Sequence, residues 1–212
     1  MRIESLSIKS VTVAIFIMIG IVAIVLSLFA GSYFRQSALD AQMTSLSRVL
    51  EVATQEMQQR LREYSADLGM KLAHSGKLVA AYEVAVSSGN DSRLVELLDD
   101  PFISGFVGYS DINLVKLRVY NPALEFVGES SAGLEDVGQR LPGYLADLLG
   151  SRSEKDRLKA VDALWLSGLG PLHSSIIPLG GLRPVGYLEV VVDPLFNMAG
   201  IAGITRTPVS IY

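Results

Sequence analysis

The chain of 212 residues has no cysteine and only two histidines. The absence of cysteine excludes disulfide bonds, thiolate zinc sites and a cysteine nucleophile. His74 and His173 stand far apart in the sequence, which leaves a histidine-based metal site or catalytic triad little to draw on. No nucleophile–base pair or paired acid occurs in a recognisable context either. We therefore predict no metal, no cofactor, no catalytic residue and no enzymatic activity.

An excess of basic residues is also missing, because 18 lysines and arginines stand against 22 aspartates and glutamates, for a formal net charge of −4. Nucleic-acid-binding domains present a basic stripe or patch. The charge balance therefore predicts that nucleic acid is not a partner. Hydrophobic residues make up 50% of the chain, and part of this excess is concentrated near its start.

Residues 10–34 contain no charged side chain, and Lys9 and Arg35 bound this apolar run. About 20 apolar residues are needed to cross the hydrocarbon layer of a bilayer, where lipid cannot satisfy the polar groups of an irregular backbone. We therefore predict a transmembrane helix at residues 11–32, after a short cytoplasmic tail at residues 1–10, and the lipid bilayer as a partner.

A cleaved signal peptide is the alternative interpretation of this run. Such peptides have shorter apolar regions and small residues before the cut, whereas Leu28 and Phe29 precede Ala30 here. Arg2 and Lys9 on the short side favour a cytoplasmic N-terminus. The sequence therefore predicts a single-pass protein whose bulk is extracytoplasmic.

Residues 33–75 are predicted to form a long stalk helix. No proline or glycine occurs in residues 34–68, and apolar residues recur at alternating steps of four and three, as in a heptad seam. The seam comprises Leu39, Met43, Leu46, Leu50, Ala53 and Met57, and it resumes at Tyr64 and Leu68. Its membrane-proximal half is free to form a homodimer, and its distal half is predicted to lie against a sheet.

The remaining residues, 76–212, predict an α+β domain with an antiparallel sheet and the long helix across one face. Period-two alternation indicates half-buried strands, with Val115, Leu117 and Val119 on one face of the first. The predicted strands cover residues 114–120, 126–130, 172–178, 185–192 and 208–212. A short helix is predicted at residues 141–149, and residues 153–166 are ambiguous between helix and strand. The chain ends inside the last predicted strand, which leaves open whether this domain is truncated at its C-terminal end.

Three stretches of the chain look like parts of a known family. They are residues 72–79, where the long helix ends, residues 117–121 with 126–131, and residues 176–181 with 185–190. The chain resembles, over roughly residues 33–212, the extracytoplasmic Cache sensor domains of bacterial receptors, which have a PAS-like sheet behind a long N-terminal helix. The resemblance implies a periplasmic domain anchored in the cell inner membrane. It also implies a receptor of the histidine kinase, chemoreceptor or diguanylate cyclase type. The motif of the amino-acid-binding members is not found here, so no ligand class carries over.

Five residues are candidates for binding a small-molecule ligand of unknown class. Arg118 and Tyr120 share one face of the first strand, and Tyr187 and Glu189 share a face of a later one. Arg118 could grip a ligand carboxylate through two hydrogen bonds; the alternative is an exposed sheet face with a cross-strand Arg118–Glu189 pair. His173 could donate to a ligand or respond to pH, or it could be a solvated strand residue.

Two functions follow from these patterns. In the first, the chain is a ligand-sensing module that passes binding to its membrane helix. In the second, it is a structural or assembly protein whose domain docks a partner at the membrane.

Overall fold

In the computed structural model, the described residues are 8–104, 112–135, 137, 140–153, 155–181 and 183–196, with side chains from residue 12 onward. The predicted strand at residues 208–212 lies outside them. The chain divides into two compact units, Met1–Ala53 and Thr54–Tyr212.

The predicted anchor and stalk fall within one helix, α1, which spans Ile8–Ala73. By length and composition, α1 is the one described helix that could cross a membrane. The side chains of residues 12–52 are exposed, and Phe16 and Phe29 are 70% and 72% exposed. A contiguous apolar surface of this kind is typical of a segment that lipid or a partner covers. A candidate membrane span near the N-terminus is therefore present.

The second unit confirms the predicted α+β class. After α1, its elements are α2 (Gly76–Ser88), α3 (Ser92–Ile103), β1 (Asn113–Tyr120), β2 (Phe126–Glu129), α4 (Gly143–Gly150), β3 (Val161–Ser167), β4 (Gly170–Leu179) and β5 (Gly186–Asp193). The five strands form one sheet in the order β2-β1-β5-β4-β3. Every neighbouring pair is antiparallel. The first and last of these strands, β1 and β5, are neighbours in the middle of this order.

One face of the sheet, here called the helix face, packs against α1, α2 and α3. Leu61, Leu68 and Ala73 of α1 are buried in the hydrophobic cluster of this face. The cluster takes the following residues from the strands: Leu114, Leu117, Val119, Ile177, Leu179, Leu188, Val190 and Val192. Each fully buried leucine or valine contributes about 1.5–3 kcal/mol to folding. The prediction that the distal stalk lies against a sheet is thus confirmed.

Gly69 lets α1 approach the helix face closely. A Cβ atom at this position would lie 2.2 Å from Cδ1 of Ile177 and 3.0 Å from Cγ2 of Val190. Nearby, the hydroxyl oxygens of Ser65 and Ser175 are 2.8 Å apart and join α1 to β4. The inward stripe of α1 therefore runs through Leu61, Ser65 and Leu68, whereas Tyr64, predicted to lie on the stripe, is 40% exposed.

The opposite face, here called the α4 face, carries a second hydrophobic cluster beneath α4. Leu145 and Leu149 of α4 are buried in it. Val115 also belongs to this cluster, so its predicted placement beside Leu117 was wrong. The register of β1 against β5 shifts between Leu114 and Lys116, and such a bulge turns one side chain to the other face.

The remaining elements differ from the sequence predictions mainly at their ends. The ambiguous residues 153–166 contain a turn and then strand β3, which begins at Val161. Ser153 Oγ donates to Asp156 Oδ2 at 2.7 Å, so the predicted capping pair closes this turn. Between β1 and β2, Asn121 Oδ1 accepts from the backbone N–H of Glu125 at 2.9 Å, which stabilises the predicted hairpin turn.

Candidate functional site

The sheet separates the five predicted ligand-binding residues into two groups. Arg118, Tyr120, Tyr187 and Glu189 lie together on the α4 face. His173 lies on the helix face, because its cross-strand partner Val192 belongs to the cluster packed by α1. The structure thus brings four of the five residues together and places the fifth across the sheet from them.

The α4 face is buried rather than exposed, which corrects one of the two interpretations of this face. Arg118 is 2% exposed and Glu189 is fully buried. The predicted cross-strand pairing is nevertheless present: Arg118 and Glu189 are register partners, and Nη1 of Arg118 lies 3.6 Å from Oε2 of Glu189. Tyr187 pairs with Tyr120 and packs in the hydrophobic cluster beneath α4.

A connected set of hydrogen bonds surrounds Glu189, and we call Arg118, Tyr120, Trp165, Ser174 and Glu189 the polar cluster. Tyr120 Oη lies 2.8 Å from Glu189 Oε2, and Ser174 Oγ donates to Glu189 Oε1 at 2.6 Å. Trp165 Nε1 donates to Ser174 Oγ at 2.8 Å. Both carboxylate oxygens of Glu189 are therefore engaged by protein groups, and Trp165 is a core residue.

Arg118 holds the polar cluster to the segment that covers it. Its Nε donates to Glu129 Oε2 at 3.2 Å, and its Nη1 donates to the carbonyl of Arg140 at 2.6 Å. The Arg140 guanidinium in turn lies 3.9 Å from the centroid of the Phe126 ring, a cation–π contact. These contacts use guanidinium N–H groups of Arg118 that were predicted to bind a ligand carboxylate.

Burial is the largest cause of the pKa shifts in the cluster. It raises the pKa of Glu189 above the ordinary value, and the Arg118 charge and the hydrogen bonds from Ser174 and Tyr120 only partly oppose this shift. The hydroxyl of Tyr120 also contacts the carbonyl of Arg140, although a phenol has one proton to donate. The single phenol proton is therefore shared between the Glu189 carboxylate and the Arg140 carbonyl. Burial raises the pKa of Tyr120, and the neighbouring Glu189 charge raises it further, so the phenol keeps its proton.

His173 contrasts with the polar cluster because neither ring nitrogen has a hydrogen-bond partner, although both are buried. The residue is 6% exposed, so the prediction of a solvated strand histidine was wrong. The nearest carboxylate oxygen, Oδ1 of Asp162, lies 3.8 Å from Nε2, which is beyond hydrogen-bonding distance. That oxygen accepts instead from the hydroxyl of Ser175.

Burial lowers the pKa of the His173 imidazole, and the positive charge of Arg62 acts in the same direction, while Asp162 opposes both. The neutral ring therefore predominates near pH 7, with one nitrogen as a donor and the other as an acceptor. An unpaired buried polar group costs about 1–3 kcal/mol.

A cavity of about 200 Å³ adjoins His173 on the helix face. Its wall comprises residues of α1 and of strands β3 and β4, with Pro194, which follows β5. Sequence reasoning missed this cavity, since its walls come from segments that only the tertiary fold brings together. The period-two pattern of β4 gives only the face of His173, which it shares with Ser175 and Ile177, and not its surroundings.

Among the described residues, no group of three or more histidine, cysteine, aspartate or glutamate side chains could hold a metal ion. No protein-family model matches the chain, and no curated protein matches it.

Proposed function

We propose that this protein is the membrane-anchored, extracytoplasmic ligand-sensing module of a bacterial signal-transduction receptor, and that it has no catalytic activity of its own. Its Cache-like, PAS-like domain would bind a small molecule and pass the binding event to the membrane helix. The receptor would be of the histidine kinase, chemoreceptor or diguanylate cyclase type, in the cell inner membrane with the domain in the periplasm.

The observation that carries this proposal is the continuity of α1 from Ile8 to Ala73. One helix contains both the candidate membrane span and the residues Leu61, Leu68 and Ala73, which are buried against the sheet. A ligand that binds one arrangement of α1 and the sheet more tightly than another shifts the population toward it, by no more than the difference in affinity.

A second support is the antiparallel sheet with a long helix across one face, the arrangement that the Cache resemblance implies. The membrane-proximal seam supports the homodimer that such receptors use. Its residues Leu39, Met43, Leu46 and Leu50 are between 39% and 67% exposed, and a second copy of the helix would cover them.

The test is a thermal-shift screen of the full chain in lipid nanodiscs against carboxylates, amino acids, amines, nucleobases and small neutral aromatics. A molecule that binds only the folded state must raise Tm as its concentration rises. A concentration-dependent shift supports the sensor, and a folded protein without a shift for any class counts against it.

Transmission is tested in the same nanodiscs by disulfide crosslinking, for which the cysteine-free chain is a clean background. Leu46→Cys is expected to crosslink two copies, and Arg48→Cys, outside the seam, serves as the control. A ligand that raises Tm should change the Leu46→Cys crosslinking rate. An unchanged rate would show binding without signalling.

The alternative, a protein that docks a partner at the membrane, is favoured by one observation. Among the described strands, β3 is an edge strand, and Leu164 and Leu166 on it are 59% and 83% exposed. Exposed apolar edges mark interaction sites. A co-purifying protein released by Leu166→Lys, with no small-molecule shift, would favour this function.

A further inference from the structure

The cavity on the helix face is built between two structural layers of the second unit. Met57 and Leu61 of α1 line one side, and Leu164 of β3 and Pro171 of β4 line the other. These four side chains make most of the wall apolar. The cavity is partly open, so a small molecule can reach it.

His173 is a buried polar residue in the wall of this cavity. It is more than nine-tenths buried, and both ring nitrogens lack a partner. Buried polar groups in folded proteins are almost always hydrogen-bonded, so an exception needs a reason. A bound molecule that hydrogen-bonds to the ring is such a reason, and because both nitrogens are closed off in the ligand-free protein, it must displace a neighbouring side chain to reach them.

We propose that this cavity is the ligand site of the domain and that it binds a small, uncharged, mainly apolar molecule whose single hydroxyl or N–H group hydrogen-bonds to His173. The inference rests on the proposed sensing function and places the site on the helix face, away from the polar cluster.

The size of the ligand follows from the volume. An apolar cavity of about 150 Å³ holds a benzene molecule, so the present cavity of about 200 Å³ takes a single ring with a substituent, or a small bicycle such as indole.

The charge of the ligand follows from the wall. Arg62 and Asp162 both line the cavity, and these opposite charges give no net preference for an ion. The neutral ring of His173 cannot form an ion pair, and burial of an unpaired charge against apolar side chains is costly. Phenols, aromatic alcohols and indoles fit these conditions, whereas benzoate and benzylammonium do not.

The location also explains how binding would be reported. Residues 54–62 of α1 form part of the wall, so a molecule in the cavity contacts the same helix that contains the candidate span. Filling the cavity would change how firmly the sheet holds α1, without any rearrangement of the buried polar cluster.

The test uses the full chain in lipid bilayers, labelled with ¹⁵N at its two histidines, and magic-angle-spinning NMR of the ring nitrogens. The probes are phenol and indole, with benzene, benzoate and benzylammonium for comparison. Phenol and indole are expected to shift the His173 ring resonances by several ppm in a saturable manner. His74, which is exposed and whose Nδ1 lies 2.7 Å from the Met70 carbonyl oxygen, is the internal control and should not shift.

Two variants locate the binding. His173→Phe keeps an aromatic ring of similar size, and it should weaken phenol binding about tenfold while leaving benzene binding unchanged, which corresponds to a hydrogen bond of about 1.4 kcal/mol. Thr54→Phe places a ring at the cavity wall and should abolish the His173 shift. Thr44→Phe, on the exposed part of α1, should bind phenol as the wild type does.

The inference is overturned if neither phenol nor indole gives a saturable His173 shift. Equal shifts at His74 and His173 would also overturn it, because they indicate partitioning into the bilayer. Unchanged phenol affinity in both His173→Phe and Thr54→Phe would do the same. A ligand from another class that raises Tm equally in the wild type and Thr54→Phe would leave the sensing function standing and remove only this site. Phenol binding at His173 with an unchanged Leu46→Cys crosslinking rate would instead confirm the site and contradict the sensing function.

Discussion

The two faces of the sheet bury polar side chains in opposite ways. On the α4 face, Glu189 is fully buried and accepts hydrogen bonds at both carboxylate oxygens. On the helix face, His173 is buried with neither ring nitrogen bonded. A fully connected polar network fixes one packing of its surroundings, whereas a buried group without a partner needs a separate explanation. The polar cluster therefore stabilises the fold, and His173 is the residue on which the proposed ligand site depends.

The largest expected effect is on the α4 face. Arg118→Met leaves Glu189 without its cationic neighbour, and loss of one partner of a buried pair costs about 3–5 kcal/mol. Urea unfolding of the full chain in micelles, followed by the fluorescence of the lone Trp165, measures this loss. Arg93→Met is the matched control, since its pair with Glu96 is exposed and contributes less than about 1 kcal/mol. Equal losses in the two variants would show that the polar cluster is not structural.

The next effect concerns the close approach of α1 to the helix face. Gly69→Val forces its side chain against Ile177, and overpacking of this kind costs about 1–3 kcal/mol. Gly76→Val, where no atom lies within 4 Å of an added Cβ, is the control. A lower Tm in Gly69→Val alone is the expected result; similar Tm values would mean that α1 does not need this close approach to the sheet.

A smaller effect, of opposite sign, is expected at His173. His173→Phe removes the unpaired nitrogens and keeps the ring, so the ligand-free protein should gain on the order of 1 kcal/mol. His74→Phe should leave Tm unchanged, because His74 is already exposed. A loss of stability in His173→Phe would indicate that the imidazole has partners in the ligand-free state, and the contrast between the two faces would disappear.

The smallest effect concerns pH. The folded-state pKa of His173 lies below its ordinary value, so the unfolded chain binds the proton more readily. Stability is therefore fully present above the ordinary pKa of about 6.5 and is lost as pH falls below it. Chemical unfolding at pH 7.5 and 5.5 should show a smaller acid-induced loss in His173→Phe than in the wild type. Identical losses would assign the pH dependence to other groups.

Much of the fold could be predicted because strand alternation encodes burial. The faces of β5 follow directly from Leu188, Val190 and Val192. The face of Val115 could not be predicted, because a bulge interrupts the pairing of β1 without changing its hydrophobic pattern.

The candidate site was harder to predict because β4 is buried on both sides. Its burial runs without a break over eight residues, and polar residues occur on both faces, so alternation alone does not tell the environment of His173 from that of Ser174. The cavity depends on α1 and β4, which are distant in sequence.

The central position of β1 and β5 constrains how the protein folds during synthesis. β1 pairs with β5 along most of its length, from Asn113 opposite Asp193 to Tyr120 opposite Tyr187, yet these strands are separated by the rest of the sheet in sequence. Such non-local pairing slows folding. A nascent chain can form α1 early, but β1 and β4 lack the neighbour they share in the sheet until β5 has been synthesised. During that interval, the apolar faces of β1 and β4 are open to chaperones and proteases.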